Sequence, residues 1–65
     1  LEAAKRNSVR VIEAVLGPGG ESLAVSIERS KTKEEFSVQA QRTKDIISQM
    51  AGPGKAAEFW AQTGL

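Results

Sequence analysis

Three short stretches of this 65-residue chain hold residue types that carry chemistry in other settings: Ser30-Lys31, Glu34-Glu35 and Gly52-Pro53-Gly54-Lys55. A serine beside a lysine is the nucleophile–base pair open to a chain without histidine, but the amine must be desolvated to take the proton. Ser30-Lys31 falls at a junction between segments with nothing apolar to strip the lysine of water, so it reads as an N-cap or loop serine. The other serines (Ser8, Ser22, Ser26, Ser37 and Ser48) would need the same missing base. Paired carboxylates share a proton or a metal only when they point together, and helix neighbours diverge by about 100°. Glu34 and Glu35 are better explained as negative charge at the start of a helix. The glycine-rich stretch resembles a phosphate loop, whose G-x-x-x-x-G-K-[ST] pattern would require Gly at Gln49 and Ser or Thr at Ala56. It fails at both.

The missing residue types exclude more. With no Cys and no His there is no thiol nucleophile, no imidazole base, no disulfide and almost no zinc chemistry. The expectation is a non-enzymatic protein with no cofactor and no metal. Nine basic against eight acidic residues leave a net charge of +1, without the strong basic clustering of a nucleic-acid binder. Arg29, Lys31 and Lys33 form one small basic patch that could contact an anion, diluted by Glu28, Glu34 and Glu35. A helix–turn–helix reading would offer DNA only Lys55, Gln62 and Thr63 from residues 54–63, with Glu58 among them. No apolar run exceeds the length of Ala14-Val15-Leu16, far short of the roughly 20 residues of a membrane span. Lack of Cys fits a reducing compartment, and a cytoplasmic location is expected. The chain begins at Leu1 and reads as one small domain or as a piece of a longer protein.

The elements behind these residues are marked by punctuation. Gly17-Pro18-Gly19-Gly20 and Gly52-Pro53-Gly54 each follow a helix-periodic run, and glycine followed by proline is a strong stop signal. Residues 2–16 read as an amphipathic helix with Leu1, Ala4, Ser8, Val11, Ile12 and Val15 inward, Glu2 and Arg6 forming an i,i+4 pair outside. A strand from Val9 to Leu16 competes, because Val9, Val11, Ile12 and Val15 are β-branched. Residues 21–30 fit both periods: Leu23, Val25 and Ile27 alternate, while Leu23, Ile27 and Ser30 form a helical stripe. Thr32 with Glu35 is a capping box. It opens a helix over 32–51 whose inward face is Phe36, Ala40, Thr43, Ile47, Met50 and Ala51. Pro53 can start a last helix that Gly64 stops, with Ala56, Phe59, Trp60 and Thr63 on one face. So short a helix must dock through Phe59 and Trp60 or be disordered. An offset of 35 residues superposes Val11-Ile12 on Ile46-Ile47 and Gly17-Pro18-Gly19 on Gly52-Pro53-Gly54, which suggests a doubled helix–GPG–helix unit.

Lys31-Thr32-Lys33-Glu34-Glu35-Phe36-Ser37-Val38-Gln39 resembles the K-T-x-x-E-F-x-x-Q stretch that opens a helix in phasins, and Ala3-Ala4-Lys5-Arg6-Asn7 is loosely similar to the start of an earlier phasin helix. The resemblance covers about a third of the chain. It implies a helical, self-associating protein of polyhydroxyalkanoate granule surfaces, with no catalytic residues to carry over. The two Gly-Pro-Gly breaks depart from the long uninterrupted helices of that family.

These readings converge on an all-α fold, a small antiparallel helical hairpin or bundle that oligomerises. A ββα alternative places a hairpin over 9–28 on the helix 32–51. The expected function is self-association or protein–protein interaction, since a chain this short buries only about 60% of its unfolded surface and its core is thin. The expected interface is Val11, Ile12, Val15, Phe36, Ala40, Ile47, Met50, Phe59 and Trp60, with Trp60 as the anchor. The second reading is a small nucleic-acid-binding domain using Arg29, Lys31 and Lys33; the third is a subunit or piece of a larger complex.

Overall fold

A computed structural model describes all 65 residues. Four α-helices follow one another: α1 (Glu2–Leu16), α2 (Glu21–Arg29), α3 (Lys33–Ala51) and α4 (Pro53–Thr63), with a 3₁₀ turn at Gly17–Gly20 between the first two. There is no strand. The hairpin over 9–28 is therefore replaced by the end of α1, the turn and α2. In the helix, Leu23 and Ile27 lie four residues apart on the inward side, Ile27 fully buried, while Val25 points out and is 39% exposed. The β-branched residues of α1 are accommodated in the same way, with Ile12 at the centre and Val9, Val11 and Val15 packed around it. Burial of one helical face overrides their strand preference.

The helix ends follow local chemistry. At the start of α3 the Thr32 hydroxyl accepts the Glu35 N–H at 3.1 Å, and the Glu35 carboxylate accepts the Lys31 N–H at 2.8 Å. The reciprocal cap forms with its second bond one residue earlier than the standard box. Removing it with Thr32→Ala should lower stability by about 1 kcal/mol, while Thr32→Ser should recover most of the loss. Urea unfolding followed by circular dichroism measures both, and equal midpoints for wild type and the alanine variant would show that the cap is idle. At the other end of α3, Gly52 adopts φ 95° and ψ 162° and donates its N–H to Ser48 O at 3.1 Å. That conformation is essentially restricted to glycine, and Pro53 opens α4 directly behind it. Gly64 in the left-handed region closes α4, so both ends of the last helix fall where the sequence predicts.

α1 packs against α2 and α4, α3 packs against α4 and α2, and α1 also touches α3. The shared core is Ile12, Ala24, Ile27, Phe36, Ala40, Ile47, Ala56 and Phe59. The 35-residue offset survives in part: Ser8 and Thr43, Ile12 and Ile47, and Ala24 and Phe59 are buried pairs at that spacing. Ser8, Ser30 and Thr63 are buried polar residues whose hydroxyls donate to Ala4 O, Ser26 O and Trp60 O, at 2.7, 3.1 and 2.6 Å, which removes the penalty of an unpaired buried group. The accessible surface is 4131 Å², close to the roughly 4,000 Å² expected of a monomer of this mass. No helix is long and apolar enough to cross a membrane.

Candidate functional site

The residues expected to form an interface separate into two groups. Ile12, Phe36, Ala40, Ile47 and Phe59 are at most 1% exposed and belong to the intramolecular core, so no partner reaches them while the chain is folded. Hydrophobic periodicity identifies a face that must be covered, and in this structure the same chain covers it. Trp60 is half-buried and packs against the core, with the Lys44 ammonium 4.9 Å from its ring centroid. That cation–π contact engages the expected anchor within the chain. Met50 is 67% exposed. Val11 and Val15 remain half-buried at the surface.

Val11 and Val15 lie on the floor of a groove between α1 and α4. Positions 11, 14 and 15 of α1 fall together on a helix, as do 58, 61 and 62 of α4. The groove is lined by Arg10, Val11, Ala14 and Val15 from α1, by Lys55, Glu58, Ala61 and Gln62 from α4, and by Ala51 at the end of α3. Its apolar lining consists of two valines and three alanines, the alanines all exposed. Among the rim charges, Lys55 and Glu58 are 3.4 Å apart, an exposed i,i+3 pair of small energetic weight. Sequence reasoning missed Ala14 and Ala61, because alanine does not signal a surface on its own, and offered Gln62 only as a DNA contact; the signal available for Ala14 was its i,i+3 spacing from Val11.

The three basic residues are spread over different surface depressions. Arg29 lines a crevice between α2 and α3 together with Glu34 and Glu35, whereas Lys33 lines a separate one with Leu1, Phe36 and Leu65. Lys31 is exposed between them. Thr63, offered as a DNA contact by the helix–turn–helix reading, is buried. Ser30 is buried with its hydroxyl committed to Ser26 O, and the Glu35 carboxylate is committed to the α3 cap. No three acidic side chains gather closely enough to hold a metal ion.

One cation has a structural role that the sequence did not disclose. Lys5 is 13% exposed at its side chain, and its ammonium donates to Glu28 O at 3.3 Å and lies 3.7 Å from the Glu2 carboxylate. It thus sits at the C-terminal end of α2, where free carbonyls and the helix dipole favour positive charge. Glu2 pairs with Lys5, not with Arg6.

Comparison with protein-family models, curated proteins and solved structures finds no match to this chain.

Proposed function

We propose that this protein is a non-enzymatic helical interaction module that receives apolar side chains of another polypeptide in the α1–α4 groove. The observation that carries the reading is the groove itself. Five of its nine lining residues are hydrophobic, and the folded core leaves it uncovered. The monomer-like surface area shifts the argument for a partner: association does not complete a deficient core but uses surface that the closed core presents. Alanines at the crests permit a helix to approach closely, and helix-in-groove docking is a common use of such a surface.

Titrating a short leucine-bearing helical peptide into the ¹⁵N-labelled chain tests this reading. Amide shifts should move at Val11, Ala14, Val15, Ala61 and Gln62 and saturate, and Ala61→Asp should abolish the response. Shifts scattered over unrelated faces, or none, would remove the groove as a docking site. A nucleic-acid reading finds no comparable support, since Arg29, Lys31 and Lys33 do not share one crevice.

A further inference from the structure

We propose that the chain consists of two helical hairpins, residues 1–30 and 31–65, that part at the hinge Ser30-Lys31-Thr32 and exchange between two copies. In the exchanged dimer each hairpin packs on the opposite hairpin of the second copy. The surface that each hairpin accepts is displayed in the closed fold itself. The exchange does not depend on the α1–α4 groove as a docking site. That groove takes one helix from each hairpin, and the dimer rebuilds it with one helix from each copy.

Each hairpin holds its own helices together. In the first, the Gly20 backbone closely approaches Ile12 and Leu16, and the Lys5 ammonium donates to Glu28 O. In the second, Lys44 lies over the Trp60 ring. No polar contact crosses between them: every hydrogen bond, both ion pairs and the cation–π contact join residues of one hairpin. The seam is built from Ile12, Ala24 and Ile27 on one side and from Phe36, Ile47 and Phe59 on the other. Apolar burial is non-directional, so it is indifferent to which copy supplies the second side. The two hairpins also share one plan. α1 touches α2, α3 and α4, α3 touches α4, α1 and α2, and α2 does not touch α4, a pattern unchanged when the hairpins trade places. Gly17 and Gly52 both have positive φ, donate their N–H to the carbonyl four residues back and precede a proline.

The hinge is short and its bonds are local. Ser30 (φ −63°, ψ 127°) and Thr32 (φ −123°, ψ 163°) are extended. The Ser30 hydroxyl donates to Ser26 O, while the Lys31 N–H and the Thr32 hydroxyl bond only within the α3 cap. Rotation about Ser30 ψ re-aims α3 and leaves all of these bonds in place. Ser30 is buried and Thr32 caps α3, so exposed Lys31 is the spacer. Closure within one chain competes with closure between chains, and a short linker gives an effective concentration on the order of millimolar. The closed monomer therefore prevails at micromolar protein, and the exchanged dimer accumulates toward about 1 mM. Removing Lys31 shortens the link by about 3.5 Å. The hairpins of one chain then lose their register, whereas two copies can still exchange them.

Sedimentation velocity and circular dichroism on the full chain test this, with the protein unfolded and refolded from urea at each concentration to permit exchange. The wild type should be monomeric at about 10 μM and show a dimer at about 1 mM. Deletion of Lys31 should give a helical dimer at a concentration about tenfold or more lower, and its helicity should fall on further dilution. In dimers formed from ¹³C-labelled and unlabelled chains, isotope-filtered NOEs should join Ile12 or Ile27 of one copy to Phe36, Ile47 or Phe59 of the other. Those side chains are at most 1% exposed, so closed monomers that meet through their outer faces do not give such contacts. A dimer without them overturns the exchange. So does a wild type that stays monomeric at about 1 mM, or a deletion variant that folds as a monomer or stays unfolded at every concentration. None of these outcomes alters whether the groove takes the leucine-bearing peptide, so failure here leaves that reading standing.

Discussion

Phe59→Ala is expected to leave a large fraction of the chain unfolded at 25 °C. Phe59 has no exposed surface and belongs to the core with Ile12, Ile27, Phe36, Ala40 and Ile47. It lies on α4, an 11-residue helix that packs against both α1 and α3 and is too short to persist by itself. Truncating a buried phenylalanine costs about 3–5 kcal/mol, through lost transfer energy and the cavity left behind. A domain of this length has a total stability of about 3–10 kcal/mol, so the loss is comparable with the whole. Phe59→Leu keeps most of the volume and should cost about 1–2 kcal/mol. Urea unfolding should show the alanine variant with a midpoint near zero denaturant, the leucine variant between it and wild type, and Trp60 fluorescence following the same transition as helicity. A loss below about 1 kcal/mol for the alanine variant would mean that α4 is held by something other than its aromatic anchor.

Helix ends were more legible from sequence than helix partners, and the reason is range. Thr32 with Glu35, Gly52 with Pro53, and Gly64 act on backbone groups within a few residues of themselves, so their chemistry can be read locally. Residues 9–28 could not be settled that way: β-branching at Val9, Val11, Ile12 and Val15 and the alternation of Leu23, Val25 and Ile27 suit a strand as well as a helix. What decides is that Ile12 and Ile27 both enter a core built with Phe36, Ala40, Ile47 and Phe59, residues up to nearly 50 positions away. The same limit explains the fate of the predicted interface. Periodicity marks Phe36, Ala40 and Ile47 as a face needing cover but does not say which chain provides it. Lys31–Gln39 forms the cap and first turns of α3. The groove between α1 and α4 was invisible for a different reason: it exists only once two helices distant in sequence lie side by side, and three of its five apolar residues are alanine.

Gly20→Ala should destabilise the fold by about 1–3 kcal/mol or more, whereas the same change at the neighbouring Gly19 should be near neutral. Both glycines lie in the 3₁₀ turn between α1 and α2, and neither has a positive φ, so conformational freedom does not separate them. Space does. A Cβ on Gly20 would lie 2.6 Å from Ile12 Cγ2 and 2.9 Å from Leu16 Cβ, while one on Gly19 would meet nothing within 4 Å. Leu16 Cβ is fixed by the α1 backbone, and Ile12 is fully buried, where a χ1 change costs strain because a β-branched residue in a helix has one favoured rotamer. Neither neighbour can yield cheaply, so the turn must lift from α1, and α2 must follow because it begins at the next residue. The displaced helix carries Ala24 and Ile27 out of register with the core. Hydrogen exchange should therefore show α2 amides losing protection ahead of those of α3 in Gly20→Ala, with Gly19→Ala indistinguishable from wild type. Equal stability of the two alanine variants would show that α2 docks loosely enough for the turn to move without cost, and close approach to α1 would then not account for a glycine at position 20.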